Sequence, residues 1–456
     1  MSAPKLRDLY RCFQGVMPSI IATADATGMP NATYVSQVYF VDDTHVALSC
    51  QFFNKTRRNL DANPYLCAEV LDPVTLQAHR LHLHFLRSET SGPLFDAMSM
   101  RIDAIASHTG MEGVFRLLAA DVFEVERIEI VDGFLTDAPA DAELEEISLD
   151  GIRTELRGVQ IISDRINRAA DLSSLLDSVL DALDQYFGFH HTMVLLADPD
   201  GERLVTIASC GFGESGVGAE VVIGEGLIGA VARERKLLRI SGLETNLRYG
   251  RAIRREAQQS GSAVKPEIPL PGLADAQSAL VIPLLLGDRL VGVLAAQSKL
   301  ALRFGEWHEA YLELIGNQIA LGIDRMQERA LDDVETPEPK ILLPVAKKTA
   351  PARTLVYYRN DDCVFIDDEY LIKNVPGRIL WRLLRDREER GRTEFTNREL
   401  RLDASLGLPE VKDNLESRLI LLRKRLEDKC PDVRLVPTGR GRFALQVEGE
   451  LRLVEK

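Results

Sequence analysis

The chain has 456 residues, which at roughly 150 residues per domain predicts about three folded units. Its hydrophobic fraction of 45% and charged fraction of 27% are those of a globular protein in water, and they exclude a collagenous, disordered or disulfide-stapled chain. No apolar run approaches the roughly 20 residues that a bilayer span requires, and the first residues lack the apolar stretch of a signal peptide. We therefore expect a cytoplasmic protein with no membrane partner.

Charge and cysteine content narrow the candidate functions further. The net charge is −14, but residues 351–456 hold 22 basic and 20 acidic residues, whereas the rest of the chain holds 33 basic and 49 acidic ones. Any contact with nucleic acid is therefore expected in the C-terminal region, because phosphate binding needs local positive potential. The 6 cysteines form no C-x-x-C pair, so we predict neither a disulfide framework nor a zinc ribbon.

Two segments resemble linkers. Residues 136–150 are acidic and short of large apolar side chains, and residues 331–352 contain four prolines, which oppose both helix and central strand. The predicted domains are 1–135, 151–330 and 353–456.

Short β-prone runs in the first domain predict a small barrel. They are Ile20–Ala24, Ala32–Phe40, Val46–Ser49 and Cys67–Leu71. From His79 to Phe85 the sequence alternates, which predicts Leu81 and Leu83 on one face and His82 and His84 on the other. These histidines are either metal or haem ligands or a polar strand face, and we favour the polar face because no acidic ligand pattern accompanies them.

The turn after the third run carries the most informative chemistry in this domain. Lys55, Thr56, Arg57 and Arg58 follow a strand, and Asn59 then begins a short helix. Cations, a hydroxyl and helix N-terminal amides together suit a phosphate monoester. A basic, solvated turn is the alternative.

This turn and the preceding pattern from Gly28 to Asp42 resemble the pyridoxamine 5'-phosphate oxidase-like, FMN-binding split-barrel family, over about residues 5–130. The resemblance implies that FMN is bound at a dimer interface. The implied phosphate ligands are Lys55, Thr56 and Arg57, and the implied ring contacts are Ser36, Gln37, Phe53 and Asn54. Lys55 lies four residues before Asn59 instead of three, so Lys55, Arg57 and Arg58 stay alternatives for the main phosphate ligand. The family contains oxidases, reductases and flavin binders without turnover, so the fold does not fix an activity.

The middle domain is bounded by two amphipathic helices with strands between them, which predicts a sheet flanked by helices. The first helix carries Ile152, Leu156, Val159, Ile162 and Ile166, and the second carries Leu312, Ile315, Ile319, Ile323 and Met326. These stripes either pack on their own domain, which we favour, or pair with a second copy of the chain.

The motif GEGLIG from Gly224 to Gly229 and the strands that begin at Ala279 and Leu290 resemble a GAF domain, over about residues 161–326. The resemblance implies a sensory or dimerisation module, and its ligand stays unknown. Cys210, His190 and His191 are its soft-ligand candidates. The polar insertion 244–271 is either a ligand lid or, as we favour, a solvated loop.

The last domain is predicted to contain strands, three helices and a β-hairpin that covers Arg434 to Val447. A third helix over residues 409–427 carries an apolar stripe together with basic residues. Its pattern and the hairpin resemble the OmpR-type winged-helix effector domain of transcriptional response regulators. The resemblance implies DNA contacts from Lys412, Arg418, Arg423, Arg425, Arg440 and Arg442. Ile420 and Leu421 stand where that family has polar residues, so a protein partner is an alternative to DNA.

Together these patterns predict a multidomain α+β chain with a split β-barrel, a GAF sheet flanked by helices, and a winged helix. The expected function is a homodimeric one-component regulator that binds FMN, senses a small-molecule effector or a redox state, and binds DNA. The alternatives are an FMN-dependent oxidoreductase with accessory domains and a signalling scaffold. The sequence shows no recognisable nucleophile with a base partner, which counts against the enzyme.

Overall fold

The computed structural model describes residues 4–50, 55–114, 116–131, 149–198, 200–212, 216–259, 272–332, 353–360, 362–408, 415–439 and 441–456. They form an N-terminal domain (4–131), a middle domain (149–332) and a C-terminal domain (353–456). Most of both predicted linkers lies outside the described residues. None of the helices in the described ranges has the length and apolar character needed to cross a bilayer.

The N-terminal domain is an antiparallel, curled half-barrel sheet with two helices. Its strands are Ser19–Ala24 (β1), Pro30–Val35 (β2), Tyr39–Phe40 (β3), His45–Cys50 (β4), Tyr65–Leu71 (β5), Ala78–Glu89 (β6) and Ala119–Val131 (β7), in the spatial order β2-β1-β5-β6-β7-β4-β3. A 3₁₀ helix at Leu6–Phe13 precedes them, and the helices are Lys55–Ala62 (α1) and Pro93–His108 (α2).

The structure of this sheet corrects one prediction made from the sequence and agrees with another. The single strand predicted from Ala32 to Phe40 is wrong, because the chain leaves β2 at one sheet edge and reaches β3 at the other. The alternation along β6 is as predicted: Leu81 and Leu83 are buried in the core, whereas His82 and His84 are partly exposed.

The middle domain is a six-stranded antiparallel sheet covered on both faces. Its strands are His191–Ala197 (β8), Arg203–Cys210 (β9), Glu220–Val222 (β10), Leu238–Ser241 (β11), Ser278–Leu286 (β12) and Arg289–Ser298 (β13), in the order β10-β9-β8-β13-β12-β11. Helices Leu149–Arg168 (α3), Leu172–Phe187 (α4) and Glu306–Asp332 (α7) share one core with the sheet, and Gly226–Glu234 (α5) and Leu243–Gln259 (α6) share another.

The apolar stripes of the bounding helices pack mainly on their own domain, as favoured from the sequence. Ile162 and Ile166 of α3 and all five predicted residues of α7 are buried in the shared core. Leu156 is the exception, because it is 60% exposed.

The solvated-loop interpretation of residues 244–271 is wrong over its first part. Residues 244–259 belong to α6, and residues 260–271 lie outside the described residues. Leu247 is buried in the middle-domain core, and Ile253 packs against the N-terminal domain. The helix is polar on average because few of its side chains are apolar, but these few are spaced to bury one stripe.

The C-terminal domain places three helices between two small sheets. Arg353–Tyr358 (β14), Cys363–Ile366 (β15), Glu369–Ile372 (β16) and Leu451–Glu455 (β20) form one sheet, and Glu394–Thr396 (β17), Val433–Gly439 (β18) and Arg442–Val447 (β19) form the other. The helices are Asn374–Arg390 (α8), Asn397–Leu402 (α9) and Leu415–Lys429 (α10). The sequence predicts β14, β15, the three helices and the hairpin in this order, but not β16, β17 or β20. The third helix is predicted over residues 409–427; α10 covers Leu415–Lys429, and residues 409–414 lie outside the described residues. Leu419, Leu422 and Leu426 of α10 enter the domain core.

Candidate functional site

The predicted phosphate turn lies where α1 begins. Lys55 is exposed at this end, and Thr56 is buried and accepts a hydrogen bond from Asn31 Nδ2 at 3.2 Å. Asn59 Nδ2 donates to Thr23 Oγ1 at 3.0 Å. These bonds hold α1 against β1 and β2, so Lys55 is presented to solvent from a fixed helix end. Phe53 and Asn54 lie outside the described residues.

Arg57 is already held by carboxylates. Its Nη1 donates to Asp121 Oδ1 and to Ser88 Oγ, each at 2.8 Å, and its Nε lies 3.2 Å from Asp61. Burial lowers the pKa of Arg57, but the buried carboxylate of Asp121 outweighs it and the net pKa is raised. Of the predicted phosphate ligands, Lys55 is exposed, Thr56 is buried against Asn31, and Arg57 would have to exchange a carboxylate for a phosphate.

The predicted ring residues Ser36 and Gln37 lie between β2 and β3. Gln37 is buried, and its Nε2 donates to the backbone oxygen of Phe13 at 2.6 Å. A β-carbon built on Gly15 would lie 2.8 Å from Gln37 Oε1, so this amide is tightly enclosed. Gln37 therefore fastens the N-terminal 3₁₀ helix, and Ser36 beside it is half-buried.

The histidines of β6 have separate surroundings. His82 Nε2 lies 3.2 Å from Glu129, and the ring of His84 lies 5.1 Å from that of Tyr65. His79 is buried, and burial lowers its pKa. Within the described ranges, no three His, Cys, Asp or Glu side chains group as a metal site would.

The soft-ligand candidates of the middle domain lie at one end of its sheet. Residue 192, which follows His191, pairs in register with Cys210, and the His191 ring lies 5.7 Å from that of Phe212. His190 Nδ1 is instead 2.6 Å from Asp184. Burial raises the pKa of the Cys210 thiol, which makes it a weak nucleophile.

Helix α2 joins the N-terminal and middle domains. Met98, Ile102 and Ala106 pack with the N-terminal sheet, whereas Met100 and Ile105 belong to the apolar core of the middle domain. A helix with two apolar faces must have both of them covered, and α2 meets this requirement by lying between two domains. The N-terminal domain thus contributes side chains directly to the core around α5.

Hydrogen bonds reinforce this joint. Ser107 Oγ accepts from the backbone N–H of Gly226 at 2.9 Å in a buried position. Arg254 Nη1 donates to the backbone oxygen of Thr109 at 2.6 Å, and Asn246 Nδ2 donates to that of Gly15 at 3.4 Å. The two domains are therefore connected by directional bonds as well as by apolar contact.

Four of the six predicted DNA contacts line cavities between the middle and C-terminal domains. Arg418 and Arg425 line a cavity of about 810 Å³ between the middle and C-terminal domains. Arg423 and Arg442 line a second interdomain cavity of about 470 Å³. Burial lowers the pKa of Arg423, and its Nε has no hydrogen-bond partner within the described part of the chain. Lys412 and Arg440 lie outside the described residues.

Between the two cavities, α10 touches the middle domain. Ile420 is only 4% exposed and joins the middle-domain core. A β-carbon built on Gly218 would lie 2.9 Å from Leu421 Cδ1, so α10 approaches this backbone closely. Lys424 Nζ lies 3.0 Å from Asp177 of α4. The apolar pair that departs from the winged-helix pattern thus contacts a protein surface of its own chain.

Comparison with known families supports two of the three domains. Residues 7–106 match the family described as pyridoxamine 5'-phosphate oxidase, and residues 171–323 match the GAF domain family. The resemblances stated for these two regions from the sequence are thereby confirmed.

Solved structures similar to parts of the chain include a GAF domain and a reductase. The GAF domain from Acinetobacter phosphoenolpyruvate-protein phosphotransferase is 19% identical, with 39% of this chain and 97% of that chain covered and a TM-score of 0.31. The free methionine-R-sulfoxide reductase from Neisseria meningitidis in complex with its substrate is 16% identical, with 40% and 95% covered and a TM-score of 0.32.

An FMN-binding protein from Syntrophomonas wolfei subsp. wolfei is similar to another part of the chain. It is 20% identical, with 27% of this chain and 87% of that chain covered and a TM-score of 0.23. No curated protein matches the sequence.

Sequence reasoning missed α2, Asp121 and Asp177. Between Met98 and Ile105 apolar residues alternate with Ser99, Arg101 and Asp103, so no local pattern marked a helix buried on two sides. No local signal marked Asp121 as the partner of Arg57, or Asp177 as the partner of Lys424, because each pair is far apart along the chain.

Proposed function

We propose that the chain is a one-component sensory regulator. In this account the N-terminal domain binds FMN, the GAF domain responds to a small effector or to the flavin redox state, and the C-terminal domain is a winged helix that binds DNA. The observation that carries the proposal is the order of the parts: a flavin-oxidase-like segment and a GAF domain precede a basic domain of three helices and a hairpin.

The helix end at Lys55 supports FMN binding. Lys55 is exposed there, and Thr56 places a hydroxyl in the same turn, so a phosphate would receive a charge-assisted bond and the positive end of the α1 dipole. Bound FMN would supply a redox-active ring. Arg57 acts in this account as a positioning residue, because its bonds to Asp121 and Ser88 tie α1 to β6 and β7.

The arrangement of the C-terminal domain supports DNA binding. Helix α10 follows α9 and is followed directly by the hairpin of β18 and β19, which is the order of a recognition helix and a wing. β17 pairs with β19 and so fixes the hairpin to the connection between α8 and α9. Four of the predicted DNA contacts lie on these two elements: Arg418, Arg423, Arg425 and Arg442.

An exposed stripe on α7 supports a homodimer. Trp307, Leu314 and Leu321 are 53%, 54% and 62% exposed, and Ala310 and Asn317 are exposed between them. The five residues are spaced alternately by three and four, which is the seam of a coiled coil, and one asparagine in such a seam favours a defined register. A second copy of α7 is the occupant that this spacing fits.

FMN titration tests the flavin part of the proposal. We expect purified protein to bind added FMN and quench its fluorescence, and Lys55→Ala to weaken the affinity about tenfold, because a charge-assisted hydrogen bond is worth about 1.5–3 kcal/mol. Arg127→Ala removes an equally positive, exposed side chain of the same domain and should leave the affinity unchanged. Equal affinity of Lys55→Ala and wild type would contradict this placement of the phosphate, and no binding by wild type would contradict FMN itself.

A further inference from the structure

The interface between the middle and C-terminal domains has opposite charges on its two sides. From the middle domain, the larger cavity is lined by four acidic residues and one arginine: Asp198, Asp200, Glu202, Glu220 and Arg203. We call the four acidic residues the acidic edge. From the C-terminal domain, the same cavity is lined by four basic residues and one aspartate: Lys373, Arg378, Arg418, Arg425 and Asp362. We call these four basic residues the basic face.

The acidic edge is a row of carboxylates on adjacent elements. Asp198, Asp200 and Glu202 lie at and between the ends of β8 and β9, and Glu220 lies on the neighbouring β10. A row of negative charges on a strand edge offers basic side chains the kind of field that a phosphate backbone offers. Two further acidic residues extend this field along α4: Asp177 pairs with Lys424, and Asp171 lies near the buried guanidinium of Arg423.

The contact is anchored at one apolar point. Ile420 is buried against the middle-domain core, and the absence of a side chain at Gly218 admits Leu421 and Arg425. Cavities of about 810 and 470 Å³ flank this point, so most of the interface is not closely packed. A close-packed interface would bury its area without such voids. Opposite charges therefore contribute more to this contact than close apolar packing does.

We propose that the acidic edge of the middle domain is an intramolecular substitute for DNA, which covers the basic face of the C-terminal domain and must be displaced before DNA can bind. This inference rests on the proposed DNA-binding function and adds its regulation. The same cations cannot face carboxylates of the middle domain and phosphates of a duplex at once, so docking and DNA binding exclude each other. Any event that weakens docking raises the fraction of chains that can bind DNA.

Variants on the middle-domain side test the proposal without altering the predicted DNA contacts. Asp177→Lys reverses the charge opposite Lys424. Gly218→Ala places a methyl group against Leu421 and also strains the backbone, since Gly218 has a φ of +87°, without any change of charge. Asp164→Lys is the matched control, because Asp164 is an exposed aspartate of α3 that pairs locally with Arg168 and not with α10. Thermal unfolding of each variant establishes that it is folded.

The measurement is binding of the full-length chains to a random-sequence DNA duplex of about 30 base pairs at about 50 mM salt. We expect Asp177→Lys and Gly218→Ala to bind about five- to tenfold more tightly than wild type, because each shifts the population toward the undocked form. Asp164→Lys should bind within about twofold of wild type, since an exposed charge far from the duplex is screened.

The possible outcomes distinguish failure of the docking proposal from failure of the proposed DNA-binding function. Equal binding by all four proteins would leave DNA binding standing and overturn the proposal that docking competes with it. Tighter binding by Asp164→Lys and Asp177→Lys alike, with Gly218→Ala unchanged, would show a general charge effect and would also overturn it. Binding by none of the proteins would overturn the proposed DNA-binding function itself and, with it, the substitution for DNA.

Discussion

The GAF domain contacts its two neighbours in different ways. Its contact with the N-terminal domain is continuous: Met100 and Ile105 enter a common core, and Ser107 and Thr109 form hydrogen bonds with its backbone and side chains. Its contact with the C-terminal domain is centred on Ile420 and is flanked by two cavities. Close packing resists separation, whereas loosely packed contacts between opposite charges are readily exchanged. We call the closely packed contact the rigid joint and the contact flanked by cavities the releasable joint.

In the proposed account, this difference sets the direction in which a signal passes along the chain. A change at the proposed flavin site would reach the core of the middle domain through α2, because residues of α2 lie in the cores of both domains. Arg239 of β11 extends this connection, since its Nη1 donates to Gln14 Oε1 of the N-terminal domain at 2.6 Å and its Nε pairs with Glu309 of α7. Helix α7 leads toward the C-terminal domain. In this account the change then takes effect at the releasable joint, between the middle and C-terminal domains.

The largest expected effect concerns the rigid joint. Ile105→Ala leaves a cavity between two domains and should lower the free energy of unfolding by about 2–4 kcal/mol. Because Ile105 is part of the GAF core, the calorimetric transitions of both domains should move to lower temperature together. Val114→Ala, at a side chain that is 44% exposed, should change the free energy of unfolding by less than about 0.5 kcal/mol. A shift confined to the N-terminal transition would show that the joint is not shared.

The faces of individual helices and strands can be predicted from the sequence, whereas the contacts between domains cannot. The period of α7 predicted its buried stripe, and the alternation of β6 predicted its two faces, because both patterns are local. The contacts between domains join residues that are distant in sequence: Ser107 meets Gly226, and Asp177 meets Lys424. Such pairs leave no periodic signal.

The candidate sites show the same limit. The charge and hydroxyl pattern identified the turn at Lys55, but not the commitment of Arg57 to Asp121, which lies 64 residues away. The apolar pair Ile420 and Leu421 was visible as an anomaly on a basic helix. Only the fold shows that the GAF domain of the same chain covers it.

A second, smaller effect sharpens the contrast between the joints. Raising the salt concentration from about 50 mM to about 500 mM shortens the screening length severalfold and weakens the attraction between the acidic edge and the basic face. Hydrogen exchange of residues 417–425 should therefore accelerate with salt, while exchange in α2 should not change. Equal changes of the exchange rate with salt in α10 and α2 would mean that the two joints do not differ in their dependence on charge.

The smallest expected effect is a pH dependence of the N-terminal domain. Burial lowers the pKa of His79 from its ordinary value of 6.5, although the nearby Asp72 partly opposes this. The unfolded chain therefore binds a proton that the folded chain resists, and stability should fall as the pH drops below about 6.5.

His79→Gln should reduce the loss of unfolding free energy between pH 7 and pH 5, as measured by chemical denaturation. If the rigid joint makes the N-terminal and middle domains unfold together, the loss of stability at low pH should appear in the unfolding of the middle domain as well. A variant with the pH dependence of wild type would show that His79 is not its source.

Competition between DNA and the acidic edge can be observed directly by hydrogen exchange of the full-length chain with and without the random-sequence duplex. The account predicts that DNA accelerates exchange in α4 around Asp177 and in β9, because α10 leaves them, while α10 itself stays protected by the duplex. Unchanged protection of α4 and β9 at saturating DNA would contradict the central claim that docking and DNA binding exclude each other.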